Sequence, residues 1–160
     1  MVENKFTPWK KWANRDNLPD IEYPGIYCIA ISESDLSEQD FTWIREIKYV
    51  GMTNSRAGLK GRLKQFNSTI NGKTRHGGAD RFIYRYHDYQ DLVNRLFVSI
   101  HPFKCDVESN DPENLRTMGD VAKFEYECFA TYVEKFGCLP EFNDKRKSPK
   151  FSLINNKKEE

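Results

Sequence analysis

The longest uninterrupted apolar run in this chain, Ile26–Ile31, is only six residues long. It follows Pro24-Gly25, a turn signal, and is rich in β-branched and aromatic side chains. A bilayer crossing takes about 20 apolar residues, so the run reads as a strand, and a central one. Phe41–Val50 resumes a strand with partial alternation, and Gly51 is expected to end it. The two runs predict an antiparallel hairpin with a long polar tip over residues 32–40. Then the period changes. Leu59, Leu63, Phe66 and Ile70 fall at i, i+4, i+7 and i+11, one stripe of a helix over 58–70. Gly72, Gly77 and Gly78 mark a loop, and Arg81–Leu92 has no readable period. Leu96–Ile100 reads as a third strand ended by Pro102, and residues 106–114 as a turn-rich connection. Apolar residues from Met118 to Phe136 repeat at helical spacing up to Gly137, a C-cap glycine.

This order predicts an α+β fold: a small, mostly antiparallel three-stranded sheet flanked by helices. The 160 residues suit one domain with tails. Residues 1–22, with Trp9, Trp12 and Leu18, are expected to form an N-terminal extension holding a short helix packed on the domain. Residues 23–143 make the domain, and 144–160 a basic polar tail. The cysteines at 28, 105, 128 and 138 lack metal-clip spacing, and the three histidines are scattered. No basic-then-apolar signal opens the chain. The expectation is free thiols, a cytoplasmic location and no membrane partner.

The net charge of +1 hides an asymmetry. Residues 16–46 hold eight acids against one base, and residues 56–85 eight bases against one acid. The basic stretch is a candidate phosphate-facing surface, against the plainer reading of a solvated helix face.

Five polar residues stand where this layout brings them together: Tyr27, Tyr49, Arg62, Glu125 and Asn143. Each alone is ordinary, since strand tyrosines are usually core residues and helix arginines and glutamates usually solvated. Their surroundings are more specific. Gly25-Ile26-Tyr27 precedes Tyr49-Val50-Gly51; then come Thr53, Gly58-Leu59, Arg62-Leu63, a glutamate in a late helix, and Pro140 to Asn143. Over about residues 23–143 this order resembles the GIY-YIG nuclease family. Two departures stand out. The stretch between the tripeptides is long, and Phe66 occupies a position where the family often has His or Tyr.

The resemblance implies a metal-dependent DNA endonuclease with one divalent metal, Mg²⁺ or Mn²⁺, held by Glu125 and waters. It implies Tyr27 as general base or water-orienting group, Tyr49 as a partner of the phosphate or of the metal's water, and Arg62 as the phosphate clamp. Asn143 would fix the glutamate or the local backbone. Lys60, Lys64, Arg75 and His76 are candidate DNA contacts, with Lys73 and Arg81 continuing the track, and His76 a candidate substitute for the group missing at Phe66. Glu127 competes with Glu125 as metal ligand, but the neighbours of Glu125 one helical turn away are all apolar, which favours Glu125. Two other readings stay open: a catalytically weak or inactive DNA-binding module of the same fold, and an interaction protein that uses the acidic loop.

Overall fold

The computed structural model describes residues 6–72, 77–86 and 88–144. Four strands, β1 (Lys10–Lys11), β2 (Gly25–Ile31), β3 (Ile47–Thr53) and β4 (Leu96–Pro102), form one antiparallel sheet in the order β1-β4-β2-β3. Four α-helices accompany it: α1 (Gly58–Ile70), α2 (Gly77–Arg85), α3 (Tyr89–Arg95) and α4 (Pro112–Phe136). The fold is α+β, as expected, with one strand more than expected.

Strand β2 lies between β3 and β4 and is buried along its whole length. Both faces are covered, so its sequence is continuously apolar rather than alternating. One face, with Tyr27, Ile29 and Ile31, packs on Leu59, Leu63, Phe66 and Ile70 of α1 and on Phe82 of α2. The other, with Ile26, Cys28 and Ala30, packs on Val121, Cys128 and Tyr132 of α4. Full burial of each large side chain contributes about 1.5–3 kcal/mol, set against the conformational entropy lost on ordering it.

The extra strand is β1, whose two residues are too short to show alternation. Its segment is stitched to the sheet. The Thr7 amide donates to Ile100 O (2.9 Å) and the Ser99 hydroxyl to Thr7 O (2.6 Å). The helix expected in this extension is a 3-10 turn, Trp12–Asn17. Trp12 Nε1 donates to Asn67 Oδ1 on α1 (2.9 Å).

The second strand starts at Ile47 rather than Phe41, and it runs through Gly51 to Thr53. Phe41 does not sit on a pleat. It stacks on Phe6 and lies against Trp9 and Trp43, so its apolar character serves an aromatic cluster outside the sheet. The acidic loop is tied down, with its carboxylates still exposed. Glu38 pairs with Lys10 (2.7 Å) and Glu33 with Arg95 (3.2 Å), and the Glu38 amide donates to Trp9 O (2.8 Å).

The unreadable stretch 81–92 holds the end of α2 and the start of α3, and Gly77 and Gly78 lie in the first turn of α2 rather than in a loop. Two short helices give too few turns for a period to show. Asp88 caps α3, accepting from the amides of Gln90 (3.0 Å) and Asp91 (3.3 Å). Helix α4 begins at Pro112, inside the expected connection, with proline in its first turn where no amide donor is needed.

Candidate active site

The hairpin register places both tyrosines. Tyr27 lies opposite Gly51, and Tyr49 opposite Ile29. Opposed residues share a face and so do residues two apart, so Tyr27 and Tyr49 stand diagonally on the α1 side of the sheet. Their ring centroids are 6.0 Å apart. A side chain at Gly51 would run into the Tyr27 phenol, Cζ and hydroxyl both, so the glycine is what lets the ring lie across the strand.

Helix α1 brings Arg62. Gly58, at φ +66°, opens the helix where any Cβ would strike Glu22 O. The first helical amides then donate to the 21–23 backbone, Leu59 to Tyr23 O (2.9 Å) and Lys60 to Ile21 O (2.7 Å). With Leu59, Leu63 and Phe66 facing the core, Arg62 sits half-buried on the flank, and its guanidinium acts on Tyr27, Tyr49 and Glu125 alike. Its Nε is buried with no hydrogen-bond partner among the described residues.

Helix α4 brings Glu125, half-buried, which acts electrostatically on both tyrosines. Burial lifts its carboxyl above the ordinary carboxylate range, and the Arg62 guanidinium opposes the lift. Glu127 is exposed on another face of α4. Tyr27 is fully buried, and burial, with the neighbouring Tyr49 and Glu125 adding to it, drives its phenol well above 10. Arg62 pulls the other way and loses. The Tyr27 hydroxyl has no hydrogen bond of good geometry among the described residues. The Tyr49 phenol is raised too, chiefly by burial, against the pull of Arg62 and Arg81. Both phenols are therefore neutral near pH 7: they can donate or orient, and neither is a ready base.

Asn143 engages the backbone of Val50, the residue beside Tyr49. Its side chain clamps the free edge of β3, donating from Nδ2 to Val50 O and accepting at Oδ1 from the Val50 amide, both 2.8 Å. Of the two roles expected for it, the backbone one is what the structure shows. Arg81 is the residue that sequence reasoning misplaced. Rather than lying on an outer phosphate track, it is buried, donates from Nη1 to Phe142 O (2.8 Å), and lies within electrostatic reach of Tyr49. No helix was readable around it, so no signal assigned it a face.

Lys60 and Lys64 are exposed on α1, each about 160° around the helix from Arg62, so the structure does not bring them to the cluster. Lys73, Arg75 and His76 lie outside the described residues. Phe66 is buried against Trp12, Tyr49 and Phe82, so that position holds core rather than chemistry. A separate cleft of about 340 Å³ lies among Arg45, Lys48, Tyr132, Cys138 and Glu141, and it includes none of the cluster residues.

Comparison with protein-family models, with curated proteins and with solved structures finds no match to this chain. Among the described residues no helix is long and apolar enough to cross a membrane.

Proposed function

We propose that this chain is a metal-dependent DNA endonuclease of GIY-YIG type, hydrolysing phosphodiester bonds at the Tyr27–Tyr49–Arg62–Glu125 cluster. The observation that carries the reading is the convergence of these four side chains, from four separate elements, on one electrostatic neighbourhood. A buried phenol beside a second, partly buried one, a half-buried guanidinium and a carboxylate with raised proton affinity are a costly group to hold together for stability alone.

Among the described residues no three His, Cys, Asp or Glu side chains are grouped to cage a metal. Glu125 alone fits Mg²⁺ or Mn²⁺, which need few protein carboxylates and take the remaining oxygens from water and substrate phosphate. A cation there would supply charge neutralisation at the phosphate and a more acidic bound water.

The chain's own residues do the rest. Arg62, whose half-buried guanidinium acts on both tyrosines and on Glu125, grips the scissile phosphate in two-pronged fashion. Tyr49, at the cluster's edge, donates its phenol to a phosphate oxygen. Tyr27, held neutral by burial, orients the attacking water rather than deprotonating it alone. Arg81 adds positive charge behind Tyr49, and Asn143 holds the strand that carries it.

A second reading, a DNA-binding module with weak or absent chemistry, draws on the buried Phe66 and on the upward shift of both phenols. Plasmid nicking with Mg²⁺, with Mn²⁺ and with EDTA separates the two, alongside DNA binding measured against salt. The endonuclease reading expects open circles with metal only. Salt-dependent binding with no nicking under any cation would favour the module.

A further inference from the structure

Helix α4 has two apolar faces, and the fold uses one. Val121, Cys128 and Tyr132 are buried against the sheet. Beyond them Leu115, Gly119, Ala122, Tyr126, Phe129 and Val133 recur at alternating steps of four and three residues, the spacing of a helix–helix seam, with Phe129 at its inner edge also packed against the core. Leu115 is 49% exposed, Tyr126 73% and Val133 40%. Tyr126 lies edge-on to Phe129, with ring centroids 6.0 Å apart. Single exposed apolar residues are ordinary, but a line of them in heptad register along one helix is not.

We propose that this seam is a self-association surface, on which α4 of a second copy packs antiparallel to the first. Size favours a second copy in that orientation. Past Leu115 the seam's N-terminal half is small, with Gly119 and Ala122, and a Cβ added at Gly119 would meet nothing within 4 Å. Its C-terminal half is bulky, with Tyr126, Phe129 and Val133. A two-fold axis across the helix sets each small half against the other copy's bulky half, with Ala122 facing Val133 across the pair. A parallel pairing would set bulk on bulk and leave a void at Gly119.

Charge is self-complementary too. Arg116 and Lys123 form a basic row directly beside the seam, and Asp120, Glu127 and Glu134 an acidic row one position further round. All five are exposed, and none has an ion-pair partner among the described residues. Antiparallel packing brings the basic row of one copy within reach of Glu127 and Glu134 of the other.

Area sets the strength. In this register residues 119–136 of the two helices overlap over about 27 Å, and a strip roughly 10 Å wide covers on the order of 270 Å² per copy. The total of about 540 Å² falls well below the roughly 1,200–2,000 Å² of stable complexes, so the dimer is weak and reversible.

Sedimentation velocity of the full chain tests this, from about 1 μM to about 500 μM. The expected result is a concentration-dependent shift from monomer to dimer. Tyr126→Glu and Val133→Glu, checked by circular dichroism for an unchanged fold, should each weaken it at least about tenfold, since each substitution acts twice across a two-fold axis. A monomer at every concentration, or a dimer that either folded variant leaves unchanged, would overturn the proposal.

Discussion

Tyr27 carries a polar atom in the core with no partner of good geometry among the described residues, and its cost and its use are separable. Removing the hydroxyl takes away a buried unsatisfied group, so Tyr27→Phe should leave thermal stability unchanged or raise it. The same change should cut nicking about 10²-fold, the scale of missing proton handling or water orientation, and Tyr49→Phe should do likewise. Normal nicking by both Phe variants would detach the chemistry from this cluster. Glu125 has the same two sides. Its folded-state carboxyl binds its proton more tightly than it does in the unfolded chain, because burial disfavours the charge. Stability therefore falls as pH rises from the ordinary carboxylate range through the raised folded value. Glu125→Gln removes that loss. Its melting temperature should exceed that of the natural chain at neutral pH, with the gain fading in acid below the ordinary range. Equal melting temperatures at neutral pH would mean that Glu125 is not strained by its burial.

At the level of elements, the site depends on how β3 is held. Asn143 fastens its free edge at Val50 with two 2.8 Å hydrogen bonds. Asn143→Ala leaves both Val50 groups short of a partner and should cost about 1–3 kcal/mol by chemical denaturation, with nicking reduced as well. A loss below a few tenths would mean that water replaces the amide freely. Gly51→Ala should be worse for function than for folding, since the new methyl displaces the Tyr27 ring. The parts of this arrangement legible in sequence were those with a long period or a rigid punctuation. The α1 stripe, the six-residue core of β2 and the Gly137 stop of α4 each carry their own physical signature, and the apolar neighbours of Glu125 on α4 match its half-burial beside the exposed Glu127. Illegible parts had neither. A two-residue strand cannot alternate. Phe41 looked like a strand residue because its aromatic cluster is apolar for another reason. Arg81 sits on a nine-residue helix whose period is hidden among Arg, Tyr and Gly, so its burial left no trace in composition.

Across the whole molecule, α4 joins the two proposals. Glu125 and Tyr126 are neighbours in sequence, one turned to the cluster and the other to the seam, so a dimer through α4 would set two clusters on either side of one helix pair. The charge asymmetry also acts at this scale. The acidic loop is largely neutralised by Lys10, Lys11 and Arg95, while Lys60 and Lys64 have no ion-pair partner among the described residues and lie on the outer face of α1. If DNA reaches Arg62 along that helix, Lys60→Ala with Lys64→Ala should flatten the salt dependence of DNA affinity, by about one unit of log–log slope for each phosphate no longer neutralised. An unchanged slope would make that face a solvated one. Plasmid nicking by Glu125→Gln and Glu127→Gln beside the natural chain, in Mg²⁺ and with DNA binding followed in parallel, tests where the chemistry sits. Glu125→Gln should bind DNA and fail to nick, and Glu127→Gln should nick within a few-fold of normal. Undiminished nicking by Glu125→Gln, or its disappearance in Glu127→Gln alone, would contradict the assignment of the site to the Tyr27–Tyr49–Arg62–Glu125 cluster.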